Sequence, residues 1–493
     1  MENRFNLLDE PWIPVEGSGK VSLRDIFLNA SYTGIGGNPI QKMAVYKLLF
    51  LIAQSACDIK DEEELERKGT AGIAFDCVEY LEKHRDSFYL YGDKPLLQYP
   101  EIGDVSEIPY KNIYANYMPG LLSENDSILT QNQTMILSDA DRALLLIMLV
   151  TYSTGGKQTT EPKKICESSR YSKFLINKKD LSDGRGPSAK PSPCLGNNNG
   201  FVQSLILGEN ILKTIQINFY TNDDIIGLNL LSLERKVSPP WERMPDFMPS
   251  EYNEAYKKSF IAWFIPLNKA VLLTEDNKVK YCEALCYTGN DYWMDPFLTI
   301  RSDNRKVEVD ILKRPWNQVQ ALLTEVYNRD VSKQKCIAIR EHYLRARKLS
   351  EAFSIWCGGL SFNSNSGEQF VKGKDDYLES SVTFSSEVLG ELFFESYCNI
   401  IAKVNDCGIS LKNCITAYKK QMGNDKSNNN GMFSFWYEMG KLSEDFVTAA
   451  ENASEAEKDM LFKNIHKLQR NIYDDYCPHG TARQILAWAK NRP

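Results

Sequence analysis

The chain has 493 residues and a formal net charge of −7, with 43% hydrophobic and 25% charged residues. That composition excludes a mostly disordered or fibrous chain, and at roughly 100–200 residues per domain the length predicts two to three domains. The acidic balance argues against a stand-alone binder of nucleic acid with a basic surface throughout, yet it allows a local basic patch.

The opening Phe5 to Val15 contains Pro11 and Pro14, which forbid a helix interior there. It reads as an extended segment that turns at Gly17-Ser18-Gly19 and returns as a hairpin strand near Val21-Ser22-Leu23. Residues 40–57 carry an apolar stripe at helical spacing, and a charged stretch from Asp61 starts a second helix that ends near Asp86. Residues 88–138 are rich in Pro, Gly, Asn and Tyr and read as long loops. Asp139 is expected to cap an apolar helix that reaches Tyr152. Its run Ala143 to Val150 is the longest apolar stretch, far below the roughly 20 residues a membrane helix needs. Met1 to Leu8 shows no secretory leader, so the expectation is a cytoplasmic protein with no membrane partner.

Residues 155–200 lack periodicity and hold nine basic residues against four acidic ones. Residues 211–220 alternate, with Ile215, Ile217 and Phe219 on one side, as a half-buried strand does. Residues 260–312 read as strand-rich and 317–357 as helices, the latter with a basic stretch from Arg329 to Lys348. A loop is expected near 358–380. Beyond it, helical periods are separated by polar breaks near 405–409, 423–431, 450–454 and 477–480, the pattern of a four-helix bundle. The fold class is therefore α+β: a large mixed α/β N-terminal domain over residues 1–375, followed by a four-helix bundle over 376–493.

Catalytic motifs are not found. The four histidines, His84, His342, His466 and His479, stand apart and read as surface or capping residues. Gly155-Gly156-Lys157 resembles the end of a P-loop, but Gln158 stands where Ser or Thr must meet Mg²⁺. The twelve cysteines form no C-x-x-C pair; Cys282 and Cys286 come nearest to ligand spacing and read as core thiols. No catalytic residue, metal or cofactor is predicted. Two segments suit nucleic acid. Glycine amides at Gly155 and Gly156 can approach a phosphate closely, with Lys157 adding charge. The glycine-flanked polar run Gly358 to Gly367 can present amides and hydroxyls to base edges in a narrow groove. The alternatives are a solvated surface loop and an ordinary turn.

Several blocks, in order, resemble the CasA-type large subunit of the type I-E CRISPR surveillance complex, Cascade. The most specific is Asn6-Leu7-Leu8-Asp9-Glu10-Pro11-Trp12-Ile13-Pro14-Val15. Leu195-Gly196 through Phe219, Tyr292-Trp293-Met294-Asp295-Pro296, Arg314-Pro315-Trp316-Asn317-Gln318, Cys357-Gly358-Gly359-Leu360 and Pro478 to Arg483 follow. The resemblance implies a non-enzymatic subunit that reads a protospacer-adjacent motif (PAM) in double-stranded target DNA and helps open it. Guide pairing then reads the remaining sequence. The implied partners are crRNA-bound Cascade subunits, the displaced non-target strand, and a helicase–nuclease recruited in trans that makes the cut. A glycine loop would fall on Thr154, Gly155, Gly156 and Lys157, and a wedge on Asn363, Ser364 and Asn365, where Ser364 replaces the family's usual glutamine. A lysine finger would fall on Lys278 or Lys280. The loop that docks near the guide would lie at Ser127 to Gln133, including Ile128, Leu129, Gln131 and Asn132. Two rival readings are a metal-dependent nucleic-acid hydrolase whose site is assembled from scattered carboxylates and His342 or His479, and a purely structural scaffold for crRNA and protein.

Overall fold

The computed structural model describes residues 2–109, 136–152, 201–228, 237–247, 250–274, 278–285, 287, 295–303, 305–310, 315–361, 376–423, 430–451 and 454–493. In chain order the strands are β1 (Arg4–Asn6), β2 (Ile13–Val15), β3 (Gly19–Val21), β4 (Tyr89–Tyr91), β5 (Glu107–Pro109) and β6 (Gln203–Leu207). They continue as β7 (Lys269–Leu273), β8 (Lys278–Glu283), β9 (Ile300–Arg301), β10 (Gln334–Lys335), β11 (Ala352–Ser361) and β12 (Asp376–Ser385). Two compact units result. One comprises Met1–Phe201, Leu207–Leu298 and Gly359–Tyr377; the other comprises Val202–Ile206, Thr299–Gly358 and Leu378–Pro493. This division by compactness differs from one drawn at residue 375, because Thr299–Gly358 belongs with the C-terminal helices.

In the first unit the opening segment folds around Trp12. Its indole is fully buried and donates to the Leu7 carbonyl at 3.0 Å. The Asn6 side chain accepts from the Leu8 amide and donates to the Arg85 carbonyl. β2 and β3 pair as the expected hairpin, with Ile13 opposite Val21. Outside this knot Asp9 meets both Arg24 and Arg85. Helix Pro39–Ala56 starts at Asn38, whose side chain accepts from the amides of Ile40 and Gln41. Every residue from Pro39 to Ala53 is buried, so this helix is a central rod rather than an amphipathic cover. Helices Glu62–Lys83 and Asp139–Thr151 pack against it. The cap of the latter is Ser138, not Asp139: its hydroxyl accepts from the Asp141 amide, and Asp139 sits in the first turn.

The alternating stretch 211–220 is not a strand. It forms helix Ile211–Ile217, because the Asn210 side chain accepts from the Lys213 amide and opens a turn. Six of its seven residues are buried, so the apolar spacing never had to mark one face.

In the second unit β12, β11 and β6 form one sheet, in that order. The expected helical stretch to 357 stops earlier: helix Ile337–Leu349 gives way to β11, whose Phe353, Ile355 and Trp356 are buried. Strands therefore also occupy both ends of the loop expected at 358–380. The C-terminal region is helical, through Glu391–Gln421, Asn430–Lys441, Ser443–Glu451, Glu455–Tyr476 and Ala482–Asn491. The breaks near 450–454 and 477–480 are present, but no break falls at 405–409. Gly408 instead lets two helices approach: a Cβ there would lie 2.7 Å from the Trp436 ring and 3.1 Å from Phe435. Trp316 packs in the same core, its ring centre 5.6 Å from that of Phe446 and tilted to it by 51°.

Candidate nucleic-acid interface

Among the residues expected to contact nucleic acid, Gly155, Gly156, Lys157, Asn363, Ser364, Asn365 and the docking segment Ser127 to Gln133 lie outside the described residues. Lys278 and Lys280 are described. They stand two apart on β8, the central strand of the sheet β5-β8-β7, and so share a face. That face runs from buried Cys282, clustered with Tyr99, Ile102, Val105 and Ala270, outward to Lys280 and Lys278. The Lys278 ammonium lies 3.1 Å from Glu107 and its side chain is 43% exposed. Lys280 donates to the Gly103 carbonyl. A carbonyl orients an ammonium without cancelling its charge, so the two lysines differ: Lys278 is paired with an anion, whereas Lys280 is held by a dipole.

The Gly358 block is anchored where it leaves β11. Ser354 and Thr383 hydroxyls meet across β11 and β12 at 2.9 Å. Two places along β11 Trp356 is 3% exposed, and its indole N–H reaches across to the Glu379 carboxylate at 2.8 Å. The ring lies over Gly358. A Cβ on that glycine would stand 2.4 Å from Cζ2 of Trp356 and 3.1 Å from Cβ of Glu379. Glycine in a strand interior is weakening in itself and commonly marks such a close approach. Beside it, burial pushes the Cys357 thiol up to about 12, which makes it an inert core group. The sequence signal for this arrangement is a tryptophan two residues before a glycine in a strand.

The basic stretch 329–348 is partly structural. Arg345 is buried, Arg340 pairs with Glu341, and Arg347 donates to the Ser386 carbonyl. His342 corrects the expectation of surface histidines: it is fully buried, and burial, reinforced by the Arg345 charge, drives its pKa well down and keeps the imidazole neutral. His479 stacks on Trp488 at 4.9 Å, and His466 lies by Gln469 and Cys407. Among the described residues no group of three or more His, Cys, Asp or Glu side chains could hold a metal ion. No helix of the described residues is long and apolar enough to cross a membrane.

The family model described as CRISPR-associated protein Cse1 matches residues 6–490. CasA/Cse1 from Thermus thermophilus is 25% identical over 239 residues, a stretch that spans 45% of this chain and 41% of that relative. The fold matches that of Thermobifida fusca Cse1 with a TM-score of 0.70 at 18% identity, covering 99% of this chain and 96% of that one. A chain from the structure of a CRISPR RNA-guided surveillance complex matches with a TM-score of 0.65 at 14% identity, covering 99% and 98%. With a family match across nearly its whole length, this chain belongs to the CRISPR-associated Cse1 family.

Proposed function

We propose that this chain is the large subunit of a type I-E RNA-guided DNA surveillance complex, where it reads a PAM in duplex DNA and helps open the first base pairs for guide pairing. The observation that carries this reading is the family match over residues 6–490. The fold likeness to a chain of an RNA-guided surveillance complex supports it. In this reading the glycine loop at Gly155, Gly156 and Lys157 and a lysine finger at Lys280 or Lys278 hold the duplex. Asn363, Ser364 and Asn365 form the wedge between β11 and β12, and Ser127 to Gln133 dock beside the guide. The chain makes no cut; it recruits a helicase–nuclease in trans and works in the cytoplasm among crRNA-bound subunits. The physical logic is a division of labour: protein reads a short duplex tag, and base pairing reads the rest.

One observation favours the scaffold alternative. Lys278 is already paired with Glu107, as a purely structural lysine would be. The deciding experiment is binding of PAM-bearing and PAM-less duplexes by the guide-loaded complex, reconstituted with and without this chain. Loss of PAM-dependent binding without the chain is expected. Unchanged binding would move recognition to another subunit and leave the scaffold reading.

A further inference from the structure

We propose that Trp356, Gly358 and Glu379 form a latch that sets the stiffness of the β11–β12 pair and so positions the wedge for strand separation. This inference rests on the wedge reading above and adds positioning residues to it.

A wedge must push. When it meets a stacked base pair, the reaction force returns down the two strands that carry it. Two strands joined only by ladder hydrogen bonds twist and splay easily, and side-chain pairs across them add the resistance. The pairing here is diagonal. Trp356 does not simply face its neighbour; its ring runs along β11, over Gly358, to a carboxylate on β12. The indole N–H is donated to a carboxylate, and hydrogen bonds to ionised groups are the stronger class. The absent side chain at 358 is what admits the ring, and the aromatic in turn covers the exposed backbone of a strand glycine. Three residues thus act as one cross-brace.

Its place along the chain matters. Gly358 is the last residue of one compact unit before the chain passes to the other, and Leu378 is the first residue after it returns. In chain order the brace therefore stands on the two strands that flank residues 362–375, which include Asn363, Ser364 and Asn365. A solely structural explanation, sheet stability, predicts a general loss. The latch predicts a selective one, confined to targets that still have to be opened.

The test uses the full guide-loaded complex with Trp356→Phe, Glu379→Gln and Gly358→Ala, beside the tip variant in which Asn363, Ser364 and Asn365 are all alanine. Trp356→Phe keeps an aromatic side chain but removes the indole N–H and part of the ring over Gly358, whereas Glu379→Gln keeps the shape and removes the charge, so the two provide folded variants should Gly358→Ala fail to assemble. Opening is read with 2-aminopurine at the first base pair beside the PAM. A second target carries the same segment already unpaired by mismatches. Trp356→Phe and Glu379→Gln are expected to open the intact duplex several-fold more slowly while binding the mismatched target as the unaltered chain does. Normal opening in both, or equal losses on both targets, overturns the latch. If the tip variant is slow and the latch variants are normal, the latch alone falls. If the tip variant also opens DNA normally, the wedge reading falls and takes the latch with it.

Discussion

Lys47 Nζ lies 2.6 Å from Asp295 Oδ2, with the two side chains only 2% and 3% exposed. Lys47 comes from the central helix Pro39–Ala56, and Asp295 from the block Tyr292 to Pro296. The other Asp295 oxygen accepts from the Phe297 amide at 3.0 Å. Burial drives the lysine pKa down, while the carboxylate opposes that shift. Removing one partner leaves a charge without compensation in the core, which typically costs about 3–5 kcal/mol. Lys47→Met and Asp295→Asn are each expected to destabilise the chain on that scale in urea unfolding. The Lys47→Met/Asp295→Asn pair should cost less than the sum of its single changes, since no ion then remains stranded.

Gly408 separates intrinsic propensity from packing. In an isolated helix, Gly→Ala gains roughly 1 kcal/mol. Here the new methyl would meet the Trp436 ring at 2.7 Å. Gly408→Ala is expected to lower stability, by about 1–3 kcal/mol as overpacked cores do, and Gly408→Val to lower it further. Thermal unfolding of the two variants checks the order.

His342 should make stability fall with acid. Its folded pKa is held below the ordinary 6.5 by burial and by Arg345. Below that value the unfolded chain takes up a proton that the folded chain refuses. The unfolded state then binds more protons, so stability falls as pH falls from 6.5 toward the folded value, by up to about 1.4 kcal/mol per pH unit. Unfolding midpoints of the unaltered chain and of His342→Gln, measured from pH 7.5 to about 5, should show a shallower decline in the variant.

Lys280 and Lys278 are expected to behave differently toward DNA. A lysine that reads a base edge loses PAM discrimination when removed, on the order of 1–3 kcal/mol. One that only meets phosphate weakens all sequences alike and lowers the salt slope by about 1. Lys280, whose charge is held by the Gly103 carbonyl, is expected to give the larger loss as alanine. Glu107→Gln should release Lys278 from its ion pair and raise affinity for any duplex. Salt titrations with PAM-bearing and PAM-less duplexes separate these outcomes.

Local chemistry was legible where it acts over a few residues. Prolines and glycines placed the β2–β3 hairpin, and the apolar stripe over 40–57 and the charged stretch from Asp61 marked two helices, whose caps at Asn38 and Asp61 the structure supplied. The ordered blocks carried the family resemblance, which the match over residues 6–490 bears out. Their physical roles were not legible. Asn6 to Val15, the most specific block, is built around a buried Trp12, and Asp295 in a later block is the counter-ion of a lysine 248 positions away.

Sequence by itself determined the α+β class, the helical C-terminal region and the family, because composition, turn residues and motif order are properties of the chain alone. Tertiary structure decided what periodicity could not. Residues 211–217 became a helix because burial on all sides removes any one-face signal and a single Asn210 cap suffices. Gly408 became a packing site because Trp436 and Phe435 come from a different helix. Trp356 found Glu379, and Lys47 found Asp295, only once distant strands and helices were brought together. Such pairs form where burial makes an unmatched polar group costly, and no spacing within one segment encodes them.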